Sequence, residues 1–159
     1  MTTLTLDPSS TRTGYAIGTS RTHLIEAGIL TPSKGNPVER AYAMAKDAVA
    51  LIRDHVPATV VIETPSPQAP HGKAGARGQA TYGMAVGIIL ATVRSVHRNV
   101  ELVRADVWKR RVPKKHLIDC IANDFPQYDR KADRGGDCAD AIGLLQWWYC
   151  ERVAQGGAA

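Results

Sequence analysis

Thr59-Val60-Val61-Ile62-Glu63 is the stretch on which the fold turns. Thr, Val and Ile are β-branched and favour extended backbone. An unbroken apolar run of this kind fits a strand covered on both faces. Pro57 precedes it and stops a helical pattern running from Val38 to His55, where residues 41, 44, 45, 48, 49 and 52 are apolar and share one helix face. A strand reached through a helical crossover is expected to lie parallel to an earlier strand of the same sheet. Candidates for that partner stand upstream. Thr3-Leu4-Thr5-Leu6-Asp7 alternates polar and apolar and ends at the turn Pro8-Ser9-Ser10. Gly14 to Gly18 and His23 to Leu30 read as two further strands, and the short turns between the three predict an antiparallel meander.

Downstream, residues 64–78 (TPSPQAPHGKAGARG) lack periodicity and read as a loop. Gln79 to His97 reads as a helix and Asn99 to Val103 as a fifth strand. Two short helices, 106–111 and 114–123, flank Pro113. A loop over 124–136 leads to a last helix from Asp137 to about residue 154, and the tail from about 155 to 159 is expected to fray. This order predicts an α/β fold in a single domain spanning 1–159. Its five-stranded mixed sheet has three antiparallel strands, then parallel ones, with helices on both faces.

Composition narrows the function classes. With 44% apolar and 22% charged residues the chain reads as globular. Cys120, Cys138 and Cys150 are odd in number and lack metal-site spacing, so they are expected to be reduced, as in a cytoplasmic protein. The N-terminus has no signal-peptide pattern, and the apolar run around 84–93 is too short to span a bilayer. No membrane role is expected. The net charge of +5 is unevenly spread: between residues 64 and 116 ten Lys/Arg face two acids, a net of +8, leaving −3 for the remainder. Such segregation points to a polyanionic partner.

Four acids stand out against this background. Asp7 and Glu63 each close a strand. If those strands are parallel neighbours, both carboxylates emerge at one end of the sheet. Asp137 and Asp140, three residues apart at the start of the last helix, share a face. Asp137 could simply complement the helix dipole, and Asp7 could stabilise a turn. Glu63 is costlier to bury without a partner. Asp140 is followed by the apolar Ala141-Ile142-Gly143-Leu144-Leu145, so its side of the helix faces the core. Clustered acids repel unless cations sit between them, and an all-oxygen donor set favours Mg²⁺ or Mn²⁺. Two such ions can hold and hydrolyse a phosphodiester.

Leu6-Asp7-Pro8-Ser9-Ser10 with Gly14-Tyr15, Val61-Ile62-Glu63 and Asp137-Cys138-Ala139-Asp140-Ala141, in this order and spacing, resemble the RuvC family of Holliday junction resolvases within the RNase H-like superfamily. The short chain is similar to phage-encoded members. The resemblance implies an RNase H-like fold, a homodimer, and hydrolysis of branched DNA with two Mg²⁺ per site, Mn²⁺ substituting, to leave 5′-phosphates. It carries Asp7, Glu63, Asp137 and Asp140 over as catalytic metal ligands, with Asp7 bridging the ions. Lys109 resembles the family's basic residue near the active site. Arg110, Lys114 and Lys115, together with Lys73 and Arg77 of the 64–78 loop, are further candidates for DNA contact. One departure is plain: the family places an aromatic in the loop after the catalytic Glu, and Thr64 to Gln68 has none. Strict sequence preference is therefore not expected. Two rival readings are a non-catalytic protein that recognises junction shape and an actin-like or sugar-kinase ATPase. The second needs another phosphate loop and another domain.

Overall fold

Alternation along the first strand sorts the chain into two layers. The structure, a computed structural model, describes residues 1–32, 34–66, 75–110 and 112–156. Its strands are β1 (Thr3–Pro8), β2 (Thr13–Ser20), β3 (His23–Leu30), β4 (Thr59–Thr64) and β5 (Val100–Arg104). Its helices are α1 (Pro37–His55), α2 (Gly75–Val96), α3 (Ala105–Lys109), α4 (Lys114–Asp124) and α5 (Asp137–Gly156). The strands form one sheet in the order β3-β2-β1-β4-β5. β1 pairs antiparallel with β2, and β2 with β3, while β4 lies parallel to β1 and β5 parallel to β4. The mixed five-stranded sheet expected from the sequence is therefore the observed one.

Leu4 and Leu6 of β1, with Val60 and Ile62 of β4, point to the layer formed by α1 and α2 and pack there with Met44, Ala48, Ile89 and Val93. Each fully buried aliphatic side chain contributes about 1.5–3 kcal/mol. The alternate positions face the other layer. Ala16 of β2 meets Ala139, Ile142 and Leu145 of α5, and Val61 meets Leu144 and Trp108. Thr3, Thr5 and Asp7 of β1 are buried on this second side. The hydroxyl of Thr5 has a partner there: it donates to the Ala141 carbonyl of α5 at 2.7 Å.

α1 starts at a complete capping box. The Asn36 side chain accepts from the backbone N–H of Val38 and Glu39, the Glu39 carboxylate accepts from Asn36 N–H, and Pro37 fills the first helical position. α2 corrects the sequence reading, which held residues 64–78 as loop. The helix starts at Gly75, four residues before Gln79. A glycine near a helix end costs only about 1 kcal/mol, and Ala76, Arg77 and Gln79 are good helix formers, so the break signals of this stretch are outweighed from Gly75 onward. At the other end α5 reaches Gly156, slightly beyond its expected end near 154, and residues 157–159 of the tail lie outside the described ones. Among the described residues, no helix is long and apolar enough to cross a membrane.

Candidate active site

The parallel ladder between β1 and β4 runs from Thr3↔Thr59 to Leu6↔Ile62. The next residue on each strand is an acid, so Asp7 and Glu63 leave the sheet side by side. Both follow the odd-numbered alternation and face α5. Three local features bring α5 to meet them. A Cβ at Gly14 would overlap the carbonyl of Asp137, so glycine is required where β2 passes under the start of the helix. Thr5 fastens the Ala141 carbonyl. Asp133, buried in the preceding loop, accepts from Ala139 N–H and from the Tyr128 hydroxyl, both at 2.9 Å. Asp133 thus does the capping that the sequence alone could have given to Asp137.

Asp7, Glu63 and Asp140 are all buried. The Lys109 ammonium lies between two of them, 3.2 Å from Glu63 Oε1 and 3.2 Å from Asp140 Oδ2. Lys114 adds a second ammonium, 2.9 Å from Asp140 Oδ2. Trp108 donates its indole N–H to Glu63 Oε2 at 2.7 Å and so fixes that carboxylate against the floor of the site. Asp137 stands apart. Its Oδ2 is 2.7 Å from Arg12 Nε, close enough for an ion pair but off the line of a hydrogen bond. Among the described residues, nothing forms a hydrogen bond or ion pair with the Asp7 carboxylate.

The electrostatics follow from this geometry. Burial pushes the Asp7 carboxyl well above its ordinary value of 3.8, and Glu63 adds to the rise, Lys109 opposes it, and Asp140 and Asp137 add further. Glu63 is also raised, chiefly by burial, although Lys109 and the Trp108 hydrogen bond pull the other way. Burial lowers the Lys109 ammonium, but Glu63, Asp7 and Asp140 outweigh it and raise the group. The phenol of Tyr82, on α2, is raised by burial and then by the same three carboxylates, which places an aromatic within electrostatic reach of the cluster.

An excess of buried carboxylate oxygen, with one acid lacking a hydrogen bond or ion pair among the described residues, is an arrangement that favours cations. Among the described residues, no three His, Cys, Asp or Glu side chains stand close enough to ligate one ion as placed. The Lys109 ammonium stands between Glu63 and Asp140 in this arrangement. The donor chemistry nonetheless fits a hard divalent ion, because every candidate ligand is a carboxylate.

The sequence-derived candidates thus divide. Asp7, Glu63, Asp140, Lys109 and Lys114 converge, and Asp137 lies at their rim. Arg110 pairs instead with Glu151 of α5 at 2.6 Å, and Lys115 is exposed in the first turn of α4. Lys73 and the Arg77 side chain lie outside the described residues. Sequence reasoning missed Arg12, Trp108 and Tyr82. Trp108 had a signal, being next to Lys109. Arg12 had only its nearness to Asp7 in the chain, and Tyr82 had none.

In architecture the chain is similar to RuvC, with the same strand order and helices on both faces of the sheet. The solved structures it resembles include Thermus thermophilus RuvC in complex with Holliday junction substrate, at a TM-score of 0.75 and 16% identity over 98% of this chain and 96% of that one. Thermus thermophilus RuvC in a second structure matches at 0.71, again with 16% identity, over 98% and 97%. Fowlpox virus resolvase with substrate Holliday junction DNA matches at 0.52 and 16% identity over 96% and 99%. No protein-family model and no curated protein sequence match the chain.

Proposed function

We propose that the protein is a structure-selective endonuclease that hydrolyses phosphodiesters in branched DNA, four-way junctions above all. The observation that carries this reading is the convergence of Asp7, Glu63 and Asp140 from β1, β4 and α5 around the Lys109 ammonium. The solved structures that share the whole fold support it, two of them being of resolvases holding Holliday junctions. A protein that only bound DNA would gain nothing from a carboxylate buried without a hydrogen bond or ion pair among the described residues.

Asp7, Glu63, Asp137 and Asp140 would hold two Mg²⁺ or Mn²⁺ ions. When bound, such ions supply Lewis-acid stabilisation and make water acidic enough to act as nucleophile near neutral pH. The chain's own residues do the rest. Trp108 holds Glu63 in one orientation. Lys109 and Lys114 neutralise the acids in the free protein and, displaced outward, are placed to meet the DNA backbone. Water attacks phosphorus in line and the 3′ oxygen leaves, giving a 5′-phosphate end. A symmetric junction calls for two such sites, hence a homodimer. α2 offers a face for it: Ala80, Gly83 and Gly87 are exposed, and a Cβ at either glycine would meet nothing within 4 Å. Ala85 of the same helix turns inward to the core.

Incubating labelled four-way, Y-shaped and linear duplex DNA with Mg²⁺, Mn²⁺ or chelator tests the proposal. Cutting of branched substrates, dependent on the ion, is expected. Junction affinity should also fall steeply with salt, since each phosphate contact contributes roughly 0.9 to the log–log slope. Equal cutting in chelator, or tight binding without any cutting, would point to a different function.

A further inference from the structure

Arg12 has no part in the chemistry above, yet the fold is shaped around its pair with Asp137. Arg12 sits in the turn after β1, where Ser9 N–H and the Ser9 hydroxyl both donate to the Arg12 carbonyl at 2.8 and 2.7 Å. The Arg12 N–H donates back to the Ser9 hydroxyl oxygen at 3.1 Å. Its backbone is therefore tied to the turn that carries Asp7. Across from it, a Cβ at Gly135 would collide with the Arg12 guanidinium and come within 2.9 Å of Asp137 Oδ2, so the loop before α5 leaves room for this pair. Among the paired acids of the cluster Asp137 is the most open, its side chain 14% exposed against 5% for Glu63 and Asp140. Lys109 and Lys114 are engaged by Glu63 and Asp140, which leaves Arg12 as the cation that serves Asp137 among the described residues. The Arg12 side chain is 36% exposed and its guanidinium is off the hydrogen-bond line, so its hold is electrostatic and readily surrendered.

We propose that Arg12 couples divalent-ion binding to DNA binding: its guanidinium neutralises Asp137 in the free protein and takes a DNA phosphate once Asp137 turns to an ion. The inference rests on the nuclease reading above. A guanidinium suits a phosphate because its forked donors match two phosphate oxygens. The exchange makes the two binding events favour each other, and the coupling is reciprocal. Arg12 is a positioning residue for Asp137 and a phosphate contact, one after the other.

The test uses the full chain, Mn²⁺ titration by calorimetry without DNA, and four-way junction binding in Ca²⁺ across a salt series. Arg12→Ala is expected to bind Mn²⁺ about two- to fivefold more tightly, the size a half-exposed ion pair supports. It should also lose about one phosphate contact, roughly 0.9, from the salt slope. Gly135→Ala, which crowds the guanidinium off Asp137 but keeps its charge, should tighten Mn²⁺ binding and retain the slope. Arg12→Lys should retain most of it. Unchanged or weaker Mn²⁺ binding by Arg12→Ala, or an unchanged slope, would overturn the role given to Arg12. A wild-type protein that takes up no Mn²⁺ would instead overturn the metal reading itself, and the Arg12 proposal with it.

Discussion

Asp7→Asn is expected to abolish DNA cleavage and, in the same molecule, to stabilise the ion-free protein. The loss of activity should be at least about 10³-fold, because on the proposed two-ion reading Asp7 would be an ion ligand and its removal would forfeit several kcal/mol of transition-state stabilisation. The stability gain has a separate cause. Asp7 is buried without a partner among the described residues, and its carboxyl is raised by burial and by the neighbouring acids. A group raised in the folded state contributes stability that is fully present below its unfolded value, here 3.8, and is lost as pH rises through the folded value. Ion-free wild-type protein should therefore weaken as pH climbs from about 4 toward neutrality, with Glu63 acting in the same direction. Asn at position 7 carries no charge and escapes its share of that loss. The gain at neutral pH should be on the order of 1–3 kcal/mol, several degrees in Tm for a chain of this length. Thermal melts of both proteins across pH, in chelator, check it; parallel pH curves would show that Asp7 carries no such penalty.

Trp108→Ala should have the largest effect on stability. Trp108 is buried, packs with Val61, Val103 and Leu144, and satisfies Glu63 through its indole N–H. Emptying that volume costs about 3–5 kcal/mol. Leaving Glu63 Oε2 without its donor adds about 1–3 kcal/mol. Trp108→Phe separates the two contributions, since most of the packing remains and only the hydrogen bond is lost. Its denaturation midpoint should fall modestly, while cleavage should fall by more than the unfolded fraction explains, because Glu63 is then free to turn. Denaturant titration alongside cleavage rates measures both. A Phe variant with full activity would mean that the indole does not orient Glu63.

The sheet was legible because two periods in the sequence agree with it. The alternation of Thr3-Leu4-Thr5-Leu6-Asp7 sets which side chains face α5, and the apolar run Val60-Val61-Ile62 marks a strand buried on both faces. Register then follows, and with it the meeting of Asp7 and Glu63. The helical spacing of Asp137 and Asp140, with an apolar run after the latter, placed Asp140 toward the core. What stayed hidden depends on contacts between distant segments. Arg12 meets Asp137 across 125 residues of chain, and nothing local in either segment specifies that meeting. Tyr82 comes within electrostatic range of the acids through the packing of α2 against β1. Asp133 takes over the helix cap through a loop conformation that no short motif encodes. One unused signal was a local inconsistency: Lys114 and Lys115 begin α4, where positive charge opposes the helix dipole. Lys114 finds its compensation in Asp140, and a broken local rule of this kind is expected at a functional site.

Diffraction from crystals grown with Mn²⁺, recorded at the manganese absorption edge, tests the central claim most directly. Two anomalous peaks about 3.5–4 Å apart are expected at the acid cluster, with Asp7 between them and the Lys109 ammonium moved off the line from Glu63 to Asp140. Absence of any peak there at saturating Mn²⁺, with Lys109 still seated between the two carboxylates, would contradict it.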